Sequence, residues 1–295
     1  MKVSQPIDEG NGAPGRERCR LLEQGEVLVF PRLAFGLPDE ERAFLLNQRL
    51  SGRQKNIAYD PRRDRVTGFV EHHPGDAETL HAIMRGYSKR VTRFVASRLP
   101  PYAHSWVVDY ASFRPQEEAG RRLPQRARND LLHTDAFPSR PTNGDRILRV
   151  FTNINPTEAR RWVTTDTFDV LLKRFASAPA LRLPTPNPLR RWIVRAARAI
   201  GVPVVQRSPY DEFMLRFHNY LKANREFQTS CHKQLWEFPP NSTWIVFTDL
   251  VPHAALSGCY ALEQTYIVSR RSLVLPEKAP VSILENLYGT RLTGP

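Results

Sequence analysis

The chain has 295 residues, 41% of them hydrophobic, which suffices for a sizeable core and sets one elaborated domain as the expectation. A formal charge of +13 points toward anionic partners, whether nucleic acid, lipid or an acidic substrate, while no apolar stretch approaches the roughly 20 residues of a membrane span. Cys19, Cys231 and Cys259 lack metal-ligand spacing and argue against a disulfide framework, and the opening MKVSQPIDEGNGAPGRER holds no apolar run suited to a signal segment, so a cytoplasmic protein with reduced thiols is expected.

Residues 1–25 read as a flexible segment ahead of a domain over 26–295. In DAETLHAIMRGYSKRVTRFVASRL (76–99), Leu80, Ile83, Met84, Tyr87, Val91, Phe94 and Val95 form one helical stripe with Asp76 as N-cap, the pattern of a core helix. WVVDYASFRP (106–115) is a β-branched and aromatic strand. HTDAFPSRP follows, with His133 and Asp135 two residues apart, and then the strand RILRVFTNINP (146–156), bounded by Asn143-Gly144 and Pro156. A helical insertion is expected over about 157–225. It includes the proline-rich tract 178–191 and the amphipathic stretch PLRRWIVRAARAIG (188–201), where Leu189, Trp192, Ile193, Ala196, Ala197 and Ile200 oppose Arg190, Arg191, Arg195 and Arg198. Such a helix suits either an anionic membrane surface or docking onto the domain itself.

Ser208-Pro209 opens a helix through Leu221 on an i, i+4, i+8 stripe of Phe213, Phe217 and Leu221, expected to brace the sheet. KQLWEFPPNSTWIVFTD reads as a hairpin turning at Pro239 to Ser242, His253 comes directly after its return strand, and ALEQTYIV is a further strand. Antiparallel runs flanking a central insertion, with His133, Asp135 and His253 at strand ends, describe an α+β chain built on a double-stranded β-helix, a cupin-type jelly roll with its core over about 100–275. Two imidazoles and a carboxylate on one face of Fe(II) leave three positions open, as an oxygenase requires. The other histidines suit the role less: His72 and His73 sit in a polar turn, His81 in a helix, His104 beside Pro-Pro, while His218 and His232 remain as alternatives.

HTDAFPSRP, RILRVFTNINP and WEFPPNSTWIVFTDLVPHAALSGCYALEQTYIV together resemble the Kdo hydroxylase family of Fe(II)/2-oxoglutarate dioxygenases. The resemblance implies hydroxylation of 3-deoxy-D-manno-oct-2-ulosonic acid (Kdo) at C3 in a Kdo-lipid A precursor, with Fe(II), 2-oxoglutarate, O₂ and supporting ascorbate. A lipid-anchored acceptor also implies peripheral contact with the inner face of the bacterial inner membrane. No zinc-finger spacing or RNP-like motif accompanies the basic charge, so nucleic acid is not expected. Other readings are a related 2-oxoglutarate hydroxylase acting on protein, or a non-catalytic binder of anionic lipid or nucleic acid.

Such an enzyme anchors the distal carboxylate of 2-oxoglutarate with a cation, preferably a bidentate arginine. Period 2 places Ile147, Arg149, Phe151, Asn153 and Asn155 on one strand face and Leu148, Val150, Thr152 and Ile154 on the other. Arg149 is the first candidate, because an arginine amid that apolar alternation asks for a buried anion. Arg146 is its runner-up on the opposite face, with Asn153, Gln264 and Tyr110 as further co-substrate contacts. Arg140, Arg114 and Arg128 are candidates for the acidic sugar, Arg140 foremost because it lies within HTDAFPSRP.

Overall fold

Alternating and β-branched runs assemble ten strands into two antiparallel sheets in the computed structural model, which describes residues 14–183 (apart from 34, 53, 119 and 122) and 205–294. The strands are β1 (Leu28–Phe30), β2 (Ile57–Asp60), β3 (Arg65–Thr67), β4 (Trp106–Arg114), β5 (Arg146–Asn153), β6 (Arg160–Thr164), β7 (Gln234–Phe238), β8 (Thr243–Phe247), β9 (His253–Ser257) and β10 (Ala261–Val268). The major sheet runs β1-β8-β5-β10-β4-β2-β3 and the minor sheet β7-β6-β9, a jelly-roll arrangement in which the two sheets enclose the site.

Strand register sets what each face carries. Across the major sheet Phe151 pairs with Trp244 and Glu263, and Arg149 with Val246 and Thr265, so Arg149, Phe151, Trp244 and Glu263 share the face toward the minor sheet. The opposite face, with Leu148, Val150, Leu262 and Tyr266, is covered by α3 (Asp76–Arg98), which follows α1 (Gly15–Glu23) and α2 (Asp39–Leu46). The buried stripe of α3 contains all seven residues expected of it, and Thr92 reaches the Tyr266 hydroxyl at 3.0 Å. Gly75, in the left-handed region at φ 91°, holds the N-cap position instead of Asp76. Asp76 begins the helix and its carboxylate accepts the backbone N–H groups of His72 and His73.

Three expectations are corrected. The segment through residue 25 carries α1, whose Cys19 and Leu22 are fully buried; the Glu23 carboxylate accepts from the Tyr102 hydroxyl and the Val274 N–H. Arg160–Thr164, assigned to the helical insertion, is β6, the central strand of the minor sheet. Pro239 to Ser242 is a corner between sheets instead of a hairpin turn, since β7 lies in the minor sheet and β8 in the major one.

The corner is held by Asn241 at φ 67° and by Asn153, whose side-chain amide donates to the carbonyls of Phe238 at 3.0 Å and Glu158 at 2.9 Å. Aromatic packing then fills the space between the sheets. Trp162 meets Phe151 edge-on at 4.6 Å, and Phe238 stacks on Trp244 at 3.8 Å, pairs worth about 0.5–1.5 kcal/mol each beyond their area. Ser208 caps the Pro209–Ala223 helix through a capping box with Asp211. The stretch 188–201 lies outside the described residues.

Candidate metal centre

His133 precedes no regular strand, yet its backbone forms a reciprocal pair with His253 at the start of β9, with N–H to O distances of 3.2 and 3.0 Å. That bridge sets the two imidazoles 4.8 Å apart between centroids. The Asp135 N–H donates to the Thr248 carbonyl at 2.8 Å, and the intervening Thr134 separates two side chains that turn the same way. His133, Asp135 and His253 bring one ligand atom each to within 4.8 Å of one another, and all three are buried.

Hydrogen bonding settles which nitrogens are free. His133 Nδ1 lies 2.7 Å from the Leu131 carbonyl and His253 Nδ1 3.0 Å from the Val251 carbonyl. A carbonyl only accepts, so both Nδ1 atoms carry the proton and both Nε2 lone pairs are left for a ligand. Burial pushes both imidazole pKa values down, and His253 lowers His133 further by charge repulsion. Burial alone would raise Asp135, but the Arg149 guanidinium and the imidazoles outweigh it and hold the carboxyl well below the usual carboxylate range. Two neutral imidazoles beside an ionised carboxylate form the donor set of a divalent metal. His218 abuts His133 at 5.0 Å and donates Nδ1–H to the Thr134 carbonyl, serving as a packing partner.

The pocket beside the histidines is lined by Arg114, Glu118, Asn129, Arg149, Phe151, Arg160, Trp162 and Ala255. A larger groove of about 510 Å³ between α3 and strands β2 to β4 contains none of these residues. In the pocket Arg149 donates Nη1–H to Asp135 Oδ2 at 2.6 Å and Nη2–H to Glu263 Oε1. Arg114 is buried between Glu263, at 2.8 Å, and Glu118, at 2.6 Å. The surrounding arginines, Arg114 foremost, hold the Glu118 carboxyl at about 2 against the upward pull of its burial. Arg160 donates to the Gly258 carbonyl and stands 3.5 Å from Glu118. Three buried donors in this pocket, Arg149 Nε, Arg160 Nε and Trp162 Nε1, have no acceptor among the described residues, a costly condition unless something arrives to accept from them.

Several expected contacts lie elsewhere. Arg146 is on the other face of β5, fully buried and bidentate with Asp249 at 2.8 and 3.1 Å, so it is not a co-substrate anchor. Asn153 is committed to the corner, and the Gln264 amide donates to the Asp109 carbonyl at 2.8 Å on the α3 side of β10. The Tyr110 hydroxyl donates to Asp60 at 3.0 Å. Arg140 pairs with Asp109 and is sandwiched between Tyr110 and Phe137, 4.4 Å from each ring. Arg128 pairs with Asp130 at 2.9 Å and is partly exposed. Of the three substrate candidates, only Arg114 lines the pocket.

Sequence reasoning overlooked Arg160, Trp162, Glu118 and Glu263. An acid inside the apolar run ALEQTYIV was a usable sign for Glu263, of the same kind that marked Arg149. Nothing as local identified Glu118, which stands in a polar loop.

A family model described as 3-deoxy-D-manno-oct-2-ulosonic acid (Kdo) hydroxylase matches residues 8–291. Among solved structures, the apo form of the Kdo hydroxylase KdoO, a non-heme Fe(II) alpha-ketoglutarate-dependent dioxygenase, is 36% identical with a TM-score of 0.84, over 99% of this chain and 96% of that one. KdoO in complex with cobalt(II) is 36% identical with a TM-score of 0.85, over 100% and 96%. Its complex with alpha-ketoglutarate and Fe(III) is 35% identical with a TM-score of 0.84, over 99% and 96%. No curated protein matches the chain.

Proposed function

The chain belongs to the Kdo hydroxylase family, and from that premise we propose that it is an Fe(II)/2-oxoglutarate-dependent dioxygenase hydroxylating the Kdo sugar of Kdo-lipid A at C3. His133, Asp135 and His253 hold the iron through two Nε2 atoms and a carboxylate oxygen. Bound there, Fe(II) with 2-oxoglutarate and O₂ supplies the oxidising chemistry, and ascorbate keeps the metal reduced.

The observation that carries this reading is the set of unpartnered donors beside those three residues. Arg149 and Arg160 come from facing sheets, and with Trp162 they offer three N–H groups that need an acceptor. The distal carboxylate of 2-oxoglutarate fits that need, and charge-assisted bonds in a desolvated pocket are the strong kind. Arg149 has a second task. By holding Asp135 Oδ2 it leaves Oδ1, 3.7 Å from His133 Nε2, turned toward the metal position. The aromatic wall of Phe151 and Trp162, the latter stacked on His253 at 5.1 Å, keeps water from the reacting groups.

The acceptor sugar is membrane-anchored, and the +13 charge favours approach of this cytoplasmic enzyme to an anionic surface, with the 188–201 stretch as the contact. No helix among the described residues is long and apolar enough to cross a membrane. The deciding experiment incubates the purified protein with Kdo-lipid A, Fe(II), 2-oxoglutarate and ascorbate. A product heavier by one oxygen, with the hydroxyl at C3 by NMR, is expected, together with one succinate per turnover. Oxygen on the acyl chains, or none at all, would overturn the reading.

A further inference from the structure

Behind the pocket, one acid serves two of the arginines that line it. Glu263 belongs to β10, which has β5 on one side and β4 on the other. In register, Arg149 of β5 lies opposite Thr265 and Arg114 of β4 opposite Ala261, so Glu263 is the diagonal neighbour of both on one face of the sheet. Diagonal neighbours on adjacent strands are within reach of long side chains. Both arginines close on it: Arg149 donates Nη2–H to Oε1, and Arg114 donates from Nε and Nη2 to Oε2 at 3.0 and 2.8 Å. The Glu263 side chain is 1% exposed and does not itself line the pocket, whereas Arg149 and Arg114 do. Burial alone would raise its pKa, but the two guanidinium groups outweigh burial and keep the carboxyl ionised.

This placement fixes how the arginines meet the pocket. Arg149 has both Nη groups committed, Nη1 to Asp135 and Nη2 to Glu263, and a planar fork held at two corners cannot swing about its stem. Its Nε–H is left for an incoming anion. Asp135 has a second commitment as a proposed metal ligand, whereas Glu263 bonds through its carboxylate to these two arginines alone among the described residues. Arg149 and Arg114 also repel each other, and the carboxylate between them offsets that repulsion.

We propose that Glu263 is a positioning residue for the co-substrate, holding Arg149 and Arg114 in the arrangement that receives the distal carboxylate of 2-oxoglutarate. The inference rests on the reading that this carboxylate binds beside Arg149, Arg160 and Trp162. The sign of the effect on affinity separates positioning from charge. 2-Oxoglutarate is a dianion, and an ionised carboxylate behind the pocket repels it, so if Glu263 acted by charge alone its neutralisation would tighten binding. If it positions the arginines, neutralisation loosens binding even though the pocket becomes more positive.

In Glu263→Gln the amide oxygen can accept from one arginine, but the amide nitrogen is left against the donors of the other. Titration of 2-oxoglutarate into the cobalt(II)-loaded variant should give a Kd raised about tenfold or more. 2-Oxopentanoate, which keeps the keto acid and lacks the distal carboxylate, should bind wild type and variant within about twofold of each other. Glu263→Asp keeps the charge but is too short to serve both guanidinium groups, and its Kd for 2-oxoglutarate should rise about threefold or more. Each Kd reports on the folded, metal-loaded fraction, so partial unfolding does not mimic the effect. An unchanged or lower Kd for 2-oxoglutarate in Glu263→Gln, or equal loosening of both keto acids, overturns the inference and leaves the proposed function standing. Should that variant fail to fold, an unchanged Kd in Glu263→Asp does the same. Wild type that fails to distinguish 2-oxoglutarate from 2-oxopentanoate overturns the co-substrate site along with the inference.

Discussion

Replacing Arg149 by Met removes the only arginine that contacts Asp135, and one of two that contact Glu263, among the described residues. The Arg149, Asp135 and Glu263 side chains are 13%, 9% and 1% exposed, so the roughly 0–1 kcal/mol typical of surface ion pairs does not apply. Breaking a buried pair leaves an uncompensated charge at a cost of about 3–5 kcal/mol, a large share of a total near 5–15 kcal/mol. Urea denaturation in the presence of a chelator should therefore show a loss of that size in Arg149→Met. Removing the stranded carboxylate as well, in Arg149→Met/Asp135→Asn, should recover about 1 kcal/mol or more, because the partners are coupled and Glu263 keeps Arg114. Saturating cobalt(II) should shrink the deficit, since the metal gives Asp135 a cation again. A metal-free Arg149→Met protein within about 1 kcal/mol of wild type would refute the view that Arg149 is the electrostatic brace of Asp135.

His133→Ala, Asp135→Ala and His253→Ala should each abolish succinate formation and tight cobalt(II) binding while retaining the far-UV CD spectrum of the wild type; turnover by any of them would sink the ligand set. Arg160→Met should raise the KM for 2-oxoglutarate about tenfold or more, measured by succinate release, whereas an unchanged KM would return the anchor to Arg149 alone. Asn153→Ala deletes the amide that joins β5 to the β7–β8 corner and should cost about 1–3 kcal/mol in urea melts with no specific effect on 2-oxoglutarate affinity. For pH, the folded-state pKa values of His133 and His253 are depressed and that of His218 falls to about 4, so protons favour the unfolded chain below its histidine pKa near 6.5. The histidine contribution to metal-free stability should thus be full above pH about 6.5 and decline as pH falls, more steeply below about 4.3 as the depressed carboxylates of Asp135, Glu118 and Glu263 add their loss. A urea midpoint that stays flat from pH about 7.5 to about 5 would contradict the sign, the limits lying about one unit above the histidine and carboxylate reference values.

What the sequence determined on its own was local. Strand-like runs marked β4, β5 and β10, the 3.6-residue stripe marked α3, and Ser208-Pro209 marked a helix start, because each signal belongs to a single element and its near neighbours in sequence. The His-x-Asp spacing likewise needs only a short extended segment to turn two side chains the same way. Tertiary structure decided everything that depends on which element lies opposite. The run from Gln234 to Phe247 looks like a hairpin until β7 and β8 are seen pairing in different sheets, and β6 is recognisable as a strand only between β7 and β9. Arg146 and Arg149 show the limit most clearly: strand alternation separates them onto two faces, but it cannot say that Asp249 waits on one face and Asp135 with Glu263 on the other. The burial of Lys222, in the last turn of the Pro209–Ala223 helix, was hidden for the same reason. A charged residue near a helix end reads as solvated until the fold closes loops and strands over it, since burial and long-range charge are set by contacts distant in sequence.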